Sequence, residues 1–296
     1  MSGPSSLRRE HRTGDVLVRA PGPTAPVGFA PLGPELAAFL VREAGRAWRW
    51  CGGVGDATER RYRVAEGASS LGVLALGPAG RRTPWDVALR HLGAALARLH
   101  AVPTQRGPHQ PPPALRRLEA FLAGRVDPPA SGRRERLVAA LGEALLAELV
   151  ADCRRALTPA HGVLSHGWAG LNTWYPDRGG AVGLVGEDHG LAAREHDLGA
   201  VLGQLVELDR LVPGFAAVCP AEEARRALLA GYGAGIDGAG IDGAWLDREV
   251  RLAITRHIAD YAVHTRGPET ELDRYAALIR DLDVPSASGA RTEVAR

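Results

Sequence analysis

The segment "GEDHGLAAR", residues 186–194, places a histidine directly after two carboxylates. A carboxylate at Glu187 or Asp188 can raise the pKa of His189 and orient its imidazole. An imidazole held in this way suits a general acid or base that works near neutral pH. We therefore predict His189 as a catalytic residue; the alternative is a solvated loop histidine.

A second histidine lies in "LSHGWAGLN", residues 164–172, and aromatic side chains follow it closely. Tryptophan, tyrosine and arginine are the residue types most often found as binding anchors. We expect these side chains and the acidic turn to line one binding surface. The predicted substrate-binding residues are His166, Trp168, Asn172, Trp174, Tyr175 and Glu187, and His161 and Arg194 complete the neighbourhood.

The composition is that of an ordinary globular chain of 296 residues with a formal net charge of +2. The chain has no lysine, so all 36 basic residues are arginines. Chemistry that needs a lysine Schiff base or a phosphate-binding loop with its lysine is therefore excluded. The arginines are interleaved with acidic residues, which argues against nucleic acid as a partner. The three cysteines form no CxxC pair, so we expect neither a zinc site nor a redox couple.

The sequence contains no apolar core of signal-peptide length and no run of about 18 apolar residues. We therefore expect a cytoplasmic protein without a membrane partner. We predict no metal site and no cofactor, since the candidate residues described above do not need one for acid–base chemistry.

The elements that position these residues begin with a small mixed N-terminal lobe, predicted over residues 15–82. Residues 1–14 are polar and are expected to be flexible. A strand is predicted at Asp15–Ala20, and a helix over residues 34–50 from the spacing of its apolar side chains. Two strands around a turn are predicted at residues 59–66 and 70–77.

Apolar residues spaced by three and four predict a mainly helical C-terminal lobe over residues 83–283. One long amphipathic helix is predicted over residues 133–157, and two short strands follow in "GVLSHG" and "AVGLVGED". The last residues, 284–296, are expected to be a disordered tail. The expected fold class is therefore α+β, with a reduced N-terminal lobe and a mainly helical C-terminal lobe.

Four segments of the C-terminal lobe occur in a recognisable order: "LARLHAVP", "HGWAGLN", "GEDHGLAAREHDLG" and "LLAGYG". In this order they resemble the aminoglycoside phosphotransferase and choline-kinase-like family, which shares the protein-kinase fold. The resemblance runs from Thr83 onward and is faint before it. It implies a two-lobed, kinase-like α+β fold, in which the acidic turn opens into the cleft between the lobes.

The same resemblance implies that the residues of phosphoryl transfer are lost. The family's loop reads His-Gly-Asp with an Asn five residues later; the Asp accepts the substrate's proton and the Asn holds magnesium. Here Trp168 stands at the Asp position and Asn172 comes one residue early. Val185 stands at the position of a magnesium-binding Asp, and Arg19 is the only basic candidate for the ATP-binding lysine. The 14 residues before the first strand leave no room for a phosphate-covering hairpin.

Several of these residues also have a purely structural interpretation. Trp168 either fills the space of the absent nucleotide and magnesium or stacks on a substrate. His166 is expected to be architectural and hydrogen-bonded to backbone, as in the family. Asp197 is expected to tie the loop to the following helix. Because the lysine is missing and Trp168 and Val185 stand at two carboxylate positions, conventional kinase activity is predicted to be absent.

Degenerate relatives of this family are associated with ribosomally made peptides and with closing lanthionine-type thioether rings. Adding a cysteine thiol to a dehydrated residue needs a base, a cation near the developing enolate and an acid. His189 with Asp188, and Arg194, are predicted to supply them. Surface arginines are expected to hold an acidic leader peptide.

Three functional classes stay open. The first is a repurposed enzyme or cyclisation partner in peptide natural-product biosynthesis. The second is an active small-molecule or peptide phosphotransferase with an unconventional metal site built from Glu187 and Asp188. The third is a non-catalytic partner of a true kinase. The expected partners are a peptide or small-molecule substrate and a kinase or lyase of the same pathway, and nucleotide binding separates the second class from the others.

Overall fold

The computed structural model of the protein describes residues 8–21, 28–29, 31–104, 110–127, 130–177, 179–235, 240–265 and 267–282. The strands of this part are β1 (Arg8–Thr13), β2 (Val16–Pro21), β3 (Trp48–Cys51), β4 (Val54–Gly55), β5 (Arg60–Arg63), β6 (Val163–Ser165), β7 (Trp174–Asp177), β8 (Gly180–Leu184) and β9 (Gly190–Ala192). The α-helices are α1 (Pro34–Glu43), α2 (Leu71–Leu76), α3 (Trp85–His100), α4 (Pro113–Leu122), α5 (Ala130–Leu141), α6 (Glu143–Leu157), α7 (Arg194–Leu211), α8 (Ala221–Gly235), α9 (Gly243–His264) and α10 (Thr270–Asp281). None of the described helices combines the length and the apolar character that crossing a membrane requires.

The first described residues form an antiparallel hairpin, in which β1 pairs with β2 through the turn Gly14–Asp15. β2 pairs with β5 and β5 with β4, which gives a four-stranded sheet of order β1-β2-β5-β4. The expectation that residues 1–14 are flexible is therefore wrong for residues 8–13, which form β1. Gly14 takes a φ of +58°, which suits a two-residue turn, so six residues on each side can pair. Residues 1–7 lie outside the described part.

The segment after α1 is a strand, although a helix is predicted over residues 34–50. α1 ends at Glu43, and β3 pairs in parallel with β8 of the C-terminal half. The indole of Trp50 is buried 4.5 Å from that of Trp174, and its Nε1 donates a hydrogen bond to the carbonyl oxygen of Ala95 at 2.8 Å. This burial against the C-terminal half overrides the local helical spacing.

A short helix, α2, occupies most of residues 70–77, where the apolar run predicts a strand. The hydroxyl of Ser70 accepts a hydrogen bond from the backbone N–H of Val73 at 3.3 Å and so caps the first turn. Such a cap satisfies one of the unpaired donors at the start of a helix. Of the two strands predicted here, only the first is confirmed, as β5.

Two helix pairs, α3 with α8 and α7 with α9, organise the C-terminal half, and their facing side chains belong to the main hydrophobic core. The single helix predicted over residues 133–157 is divided at Gly142, whose φ of +83° is not helical. Two antiparallel pairs, β6 with β9 and β7 with β8, carry the loops of the candidate site. The predicted tail, residues 284–296, lies outside the described part.

α3 and α8 approach each other closely at two glycines. A Cβ at Gly231 would lie 1.9 Å from the carbonyl oxygen of Arg90, and a Cβ at Gly93 would lie 2.1 Å from that of Leu228. Both oxygens belong to helix backbone, so neither can move without shifting a helix. Gly231, the first glycine of "LLAGYG", therefore allows the two helices to approach this closely.

We expect Gly231→Ala to lower the free energy of unfolding by about 1–3 kcal/mol, because overpacking forces the backbone apart. Gly233→Ala, in the same helix, is the matched control, since a Cβ there meets open space. Alanine is favoured over glycine in a helix by roughly 0.5–1 kcal/mol, so this control should be slightly stabilised. Urea unfolding followed by circular dichroism measures both variants. Equal stability of the two variants would contradict the close crossing.

Candidate functional site

The loop after β6 is held by one buried carboxylate, that of Asp197 on α7. It accepts hydrogen bonds from the backbone N–H groups of His166 (2.7 Å) and Gly167 (3.1 Å) and from the hydroxyl of Ser165 (2.9 Å). His100 Nε2 lies 3.0 Å from its Oδ2. Burial opposes ionisation, but the hydrogen bond from His100 and the surrounding histidines outweigh it and hold the pKa of Asp197 well below its ordinary value. The prediction that Asp197 ties the loop to the following helix is confirmed.

His166 is architectural, as predicted. Its Nε2 donates to the carbonyl oxygen of Leu184 at 2.6 Å, and its Nδ1 accepts a hydrogen bond from the backbone N–H of Trp168 at 3.2 Å. Burial lowers the pKa of His166, so its ring is neutral at neutral pH. Because both ring nitrogens are engaged, this imidazole is not free to take a proton from a substrate.

Trp168 is half-buried, and two guanidinium groups contact its ring. The Cζ atom of Arg256 lies 4.5 Å from the ring centroid, and that of Arg117 lies 5.8 Å from it. Cation–π contacts of this kind stabilise a side chain by about 0.5–2 kcal/mol each. These contacts favour an indole that is fixed within the protein over one that is open to stack on a substrate.

Sequence reasoning missed both arginines of this cluster. Arg117 on α4 bridges Asp188 (3.4 Å) and Asp260 (3.3 Å), and Arg256 lies on α9. Burial opposes the charge on Arg117, but Asp260 and Asp188 outweigh it and raise the pKa of this guanidinium. A signal existed in the sequence: Arg117 lies four residues before the buried Phe121, and an arginine on an apolar helix face needs a partner.

Glu187 is bound within the protein and is not free for a substrate. Its Oε1 accepts hydrogen bonds from the hydroxyl of Tyr62 at 2.9 Å and from Nη1 of Arg19 at 3.1 Å. Nε of Arg19 also lies 2.7 Å from Oε1 of Glu10. Burial opposes the charge on Arg19, but Glu187 and Glu10 outweigh it and raise the pKa of this guanidinium. The basic candidate for a phosphate contact on β2 is thus paired with two carboxylates.

The environment of His189 differs from the sequence prediction. The side chain is half-buried, and burial lowers the pKa of His189, outweighing the hydrogen bond with the backbone of Gly186 and the charge of Asp188, which both act to raise it. Its Nδ1 has no hydrogen-bond partner among the described residues. The expectation that the adjacent carboxylates raise this pKa is wrong, because the loss of contact with water is the larger effect.

The three predicted catalytic residues do not form a connected group. Within the described chain, no hydrogen bond links His189 with Asp188, whose carboxylate instead faces Arg117. Arg194 begins α7, and its charge acts on the phenol of Tyr232, where it opposes the rise in pKa that burial causes. The catalytic assignment of His189, Asp188 and Arg194 stays a prediction without a shared geometry.

The aromatic residues of β7 are buried on both faces of the strand. Trp174 is fully buried, with ring centroids 5.8 Å from Trp48 and 4.5 Å from Trp50. Its prediction as a binding residue is wrong, because the pairing of β7 with β8 turns this side chain into the core. Tyr175 points to the opposite face, as alternation along a strand requires. Burial there raises the pKa of Tyr175 to about 12.

Neither position at which the resemblance implies magnesium binding offers a carboxylate. Asn172 is exposed, and its Oδ1 accepts a hydrogen bond from the hydroxyl of Ser70 at 3.4 Å. Val185 is buried, and its N–H donates to the carbonyl oxygen of Cys51 at 3.0 Å. Over the part of the chain that the structure describes, no group of three or more His, Cys, Asp or Glu residues is arranged to hold a metal ion. His161 is exposed.

The four-stranded sheet packs directly on the β7–β8 hairpin. The facing side chains form a buried group that we call the interlobe cluster: Leu17, Tyr62, Val64, Tyr175, Val182 and Leu184. Close to it lies a small concavity, the interlobe concavity, whose lining includes Arg19, His166, Trp168, Glu187 and Asp188. Several predicted site residues are thus brought around one concavity, but their charged groups are bound to one another.

No protein-family model and no curated protein sequence matches the chain. Solved phosphotransferase structures are similar to it in fold. A glucosamine kinase in complex with glucosamine, ADP and inorganic phosphate has a TM-score of 0.54 at 17% identity, over 89% of this chain and 70% of that chain. A choline/ethanolamine kinase family protein from Mesorhizobium loti has a TM-score of 0.53 at 16% identity, over 93% and 85%. An AMP-bound spectinomycin phosphotransferase has a TM-score of 0.50 at 12% identity, over 91% and 85%. The chain has a protein-kinase-like phosphotransferase fold.

The kinase-like fold confirms the predicted fold class, an α+β chain with small sheets and a mainly helical C-terminal half. It also confirms the resemblance read from the order of the four sequence segments, at the level of the fold. With identities of 17% or less, these structures establish the architecture alone.

The kinase-like fold implies ATP and magnesium, and the residues around the interlobe concavity do not fit them. The phosphates and their metal need a cationic side chain and carboxylates that are free to coordinate. Arg19 is paired with Glu187 and Glu10, and Asp188 is paired with Arg117. By the sequence resemblance, Trp168 stands where the family has its proton-accepting carboxylate.

The pKa of His166 has a consequence for stability below neutral pH. Its folded pKa lies below the unfolded value of about 6.5, so the unfolded chain binds more protons as the pH falls through that value. Stability from His166 is therefore present at pH 7.5 and is lost toward pH 5.5. His257 has the opposite sign, because Glu207 raises its pKa.

We expect the wild type to lose more unfolding free energy than His166→Gln between pH 7.5 and 5.5, by up to about 1 kcal/mol. Comparing two proteins that both contain His257 cancels the opposing contribution. Urea unfolding at the two pH values measures the difference. The same pH slope in both proteins would show that His166 is not buried as a neutral ring.

Proposed function

We propose that this protein is a degenerate phosphotransferase that binds and processes a substrate without transferring phosphate. The observation that carries the proposal is Trp168 at the proton-accepting position, with Arg256 and Arg117 against its ring. In kinases the carboxylate at this position accepts the proton of the attacking hydroxyl. An indole has only a donor and cannot do so.

The contact between the lobes supports the same proposal. In the kinase-like fold the nucleotide lies between the lobes, where this chain has the interlobe cluster. Every member of the cluster is at most 6% exposed. Separating the two sides to admit an adenine ring would expose apolar surface, at a cost of about 25 cal/mol per Å². We infer that the cleft is closed to nucleotides by packing.

The replaced and ion-paired residues are a further reason to expect no phosphate transfer. Removing one group that stabilises charge in a transition state commonly costs about 10²–10³ in rate. This chain lacks a lysine altogether, has Trp168 and Val185 at two carboxylate positions, and holds Asp188 in an ion pair with Arg117. When several charge-stabilising groups are missing together, little conventional kinase activity is expected.

We propose a peptide as the substrate, within the biosynthesis of ribosomally made natural products. This proposal rests on the resemblance to degenerate relatives of the family, and the abundance of arginine supports an acidic leader peptide as the bound segment. A kinase or lyase of the same pathway would supply the dehydrated residue. The role is either catalytic ring closure or presentation of the peptide to such a partner.

For ring closure, a base removes the thiol proton, the thiolate sulfur adds to the β-carbon of the dehydrated residue, and an acid delivers a proton to the α-carbon. His189 suits the base, because burial lowers its pKa and keeps it neutral at pH 7, and its Nδ1 has no hydrogen-bond partner within the described chain. Arg194 stays the predicted cation for the enolate.

An active phosphotransferase is the second candidate, and the interlobe concavity is the observation that favours it. Its lining includes two carboxylates, Glu187 and Asp188, together with Arg19. Coordination of a metal there would require Asp188 to leave Arg117 and Glu187 to leave Arg19. Nucleotide binding decides between this candidate and the first.

We expect ATP with magnesium to leave the melting temperature of the wild type unchanged. A ligand that binds only the folded state stabilises it by about 2.7 kcal/mol at one hundred times its dissociation constant, so binding would be visible. Trp168→Asp should also fail to transfer phosphate from radiolabelled ATP, because the other replacements remain. A nucleotide-dependent rise in melting temperature would rule out the proposal, and phosphate transfer by the variant would identify Trp168 as the sole block.

We expect His189→Ala and His166→Ala to differ in both stability and activity. His189→Ala should abolish thioether ring closure on a dehydrated precursor peptide with only a small fall in melting temperature, since the ring makes one hydrogen bond with the backbone of Gly186 and its Nδ1 has no partner among the described residues. His166→Ala should lose about 1–3 kcal/mol of unfolding free energy, because the partners of its two ring nitrogens are left unpaired. Thermal unfolding and mass spectrometry of the peptide are the paired measurements. Full ring closure by His189→Ala would exclude it as the base.

A further inference from the structure

A second depression lies between α7 and α9. The empty space at this surface, open solvent included, is about 270 Å³, and Trp168 is the residue that lines both hollows. We call it the α7–α9 depression. Its polar lining consists of Trp168, Gln204, Glu207, Arg256 and His257.

Arg256 is a buried cation with no carboxylate in direct contact among the described residues. It is 5% exposed, and no carboxylate of the described residues lies within 4.0 Å of its guanidinium. Its Nη1 meets only neutral acceptors, the carbonyl oxygen of Gly167 at 3.2 Å and Nε2 of His196 at 3.3 Å. Its Nε has no partner in the described part of the chain. A buried charge in this state is costly unless something compensates it.

Three other buried arginines, Arg19, Arg248 and Arg251, are ion-paired with carboxylates. The half-buried Arg117 is paired as well, and Arg251 lies on the same helix α9, where it contacts Glu148 and Asp152 at 3.1 Å each. Ion pairing raises the pKa of Arg19 and of Arg117.

Burial, by contrast, lowers the pKa of Arg256, and the more distant charges do not restore it. Asp260, Glu249 and Asp188 act to raise this pKa, while Arg117 acts with burial to lower it. The guanidinium remains charged at neutral pH, because an arginine starts from a pKa above 12. Arg256 is thus an incompletely compensated cation at the wall of a hollow.

His257 adds a second donor at the rim. Its side chain is 49% exposed, and its Nδ1 lies 2.7 Å from Oε2 of Glu207. Glu207 raises the pKa of His257 and so favours the imidazolium, in which both ring nitrogens donate. Nε2 has no partner among the described residues, so it is available to a ligand.

We propose that the α7–α9 depression binds an anionic group, a carboxylate or a phosphate, through Arg256 with His257 at its rim. Guanidinium groups bind both kinds of anion by charge-assisted hydrogen bonds. The inference names a substrate class for the proposed function and rests on it: the bound peptide would present an acidic or phosphorylated side chain beside Trp168. The anion would supply the counterion that Arg256 lacks.

The test measures anion binding directly, without nucleotide and with a chelator present. Inorganic phosphate and succinate are titrated into the wild type by calorimetry and by thermal unfolding, at constant ionic strength set with chloride. We expect saturable binding of at least one of them, and the stronger one identifies phosphate or carboxylate as the preferred group. Arg256→Met should raise the dissociation constant about tenfold or more, as expected for a lost charge-assisted hydrogen bond. Arg256→Lys should retain much of the binding, because it keeps the charge.

Arg251→Met is the matched control on the same helix. It removes an equally buried arginine that already has carboxylate partners, so it should lower the melting temperature and leave the dissociation constant unchanged. If Arg256→Met does not fold, His257→Gln decides, with an expected weakening of several-fold. Absence of saturable binding to the wild type, or unchanged affinity in the Arg256 and His257 variants, would overturn the proposal. Stabilisation by ATP with magnesium would overturn the proposed function instead, so the two can fail separately.

Discussion

The conformation of the whole site depends on the carboxylate of Asp197, which lies in the interior and accepts hydrogen bonds from three groups of the loop after β6. His100 satisfies it from α3, and Tyr232 in turn lies 2.9 Å from His100 Nδ1. The loop, α7, α3 and α8 are therefore joined through one buried charge. None of these bonds involves the side chain at position 168. The backbone of this loop is thus held without any contribution from the side chain at position 168.

Most of the charged side chains around this loop are paired within the protein. In an active phosphotransferase, carboxylates face a metal and phosphates, and much of their energy is realised only when these bind. Here Asp188 and Glu187 already have arginine partners, and Arg117 and Arg256 lie against the indole of Trp168. Such a site is stable without a ligand. Arg256 is the exception, because its charge is not matched locally.

Sequence patterns predicted the parts of the molecule whose structure is local. The helices with apolar spacing of three and four, the tie between Asp197 and the loop, and the order of family-like segments are examples. Residues 48–51 form a strand instead of the predicted helix, because Trp50 packs on Trp174, more than 120 positions away. Because its partner Trp50 is so far away in the sequence, the local pattern around Trp174 predicts a binding surface and not a core position. The pKa of His189 and the partners of Arg117 also depend on burial and on contacts that no local pattern encodes.

The parallel pairing of β3 with β8 affects how the chain can fold. β3 is made early in synthesis, but its partner is about 130 residues further along the chain, so this sheet has a high contact order and must wait for most of the chain. Until then the edge of β3 and the indole of Trp50 stay unpaired, which is the kind of surface that associates with other chains. A fragment that begins at α3 would likewise expose the edge of β8 and one face of Trp174. The two halves of the protein therefore depend on each other for solubility as well as for shape.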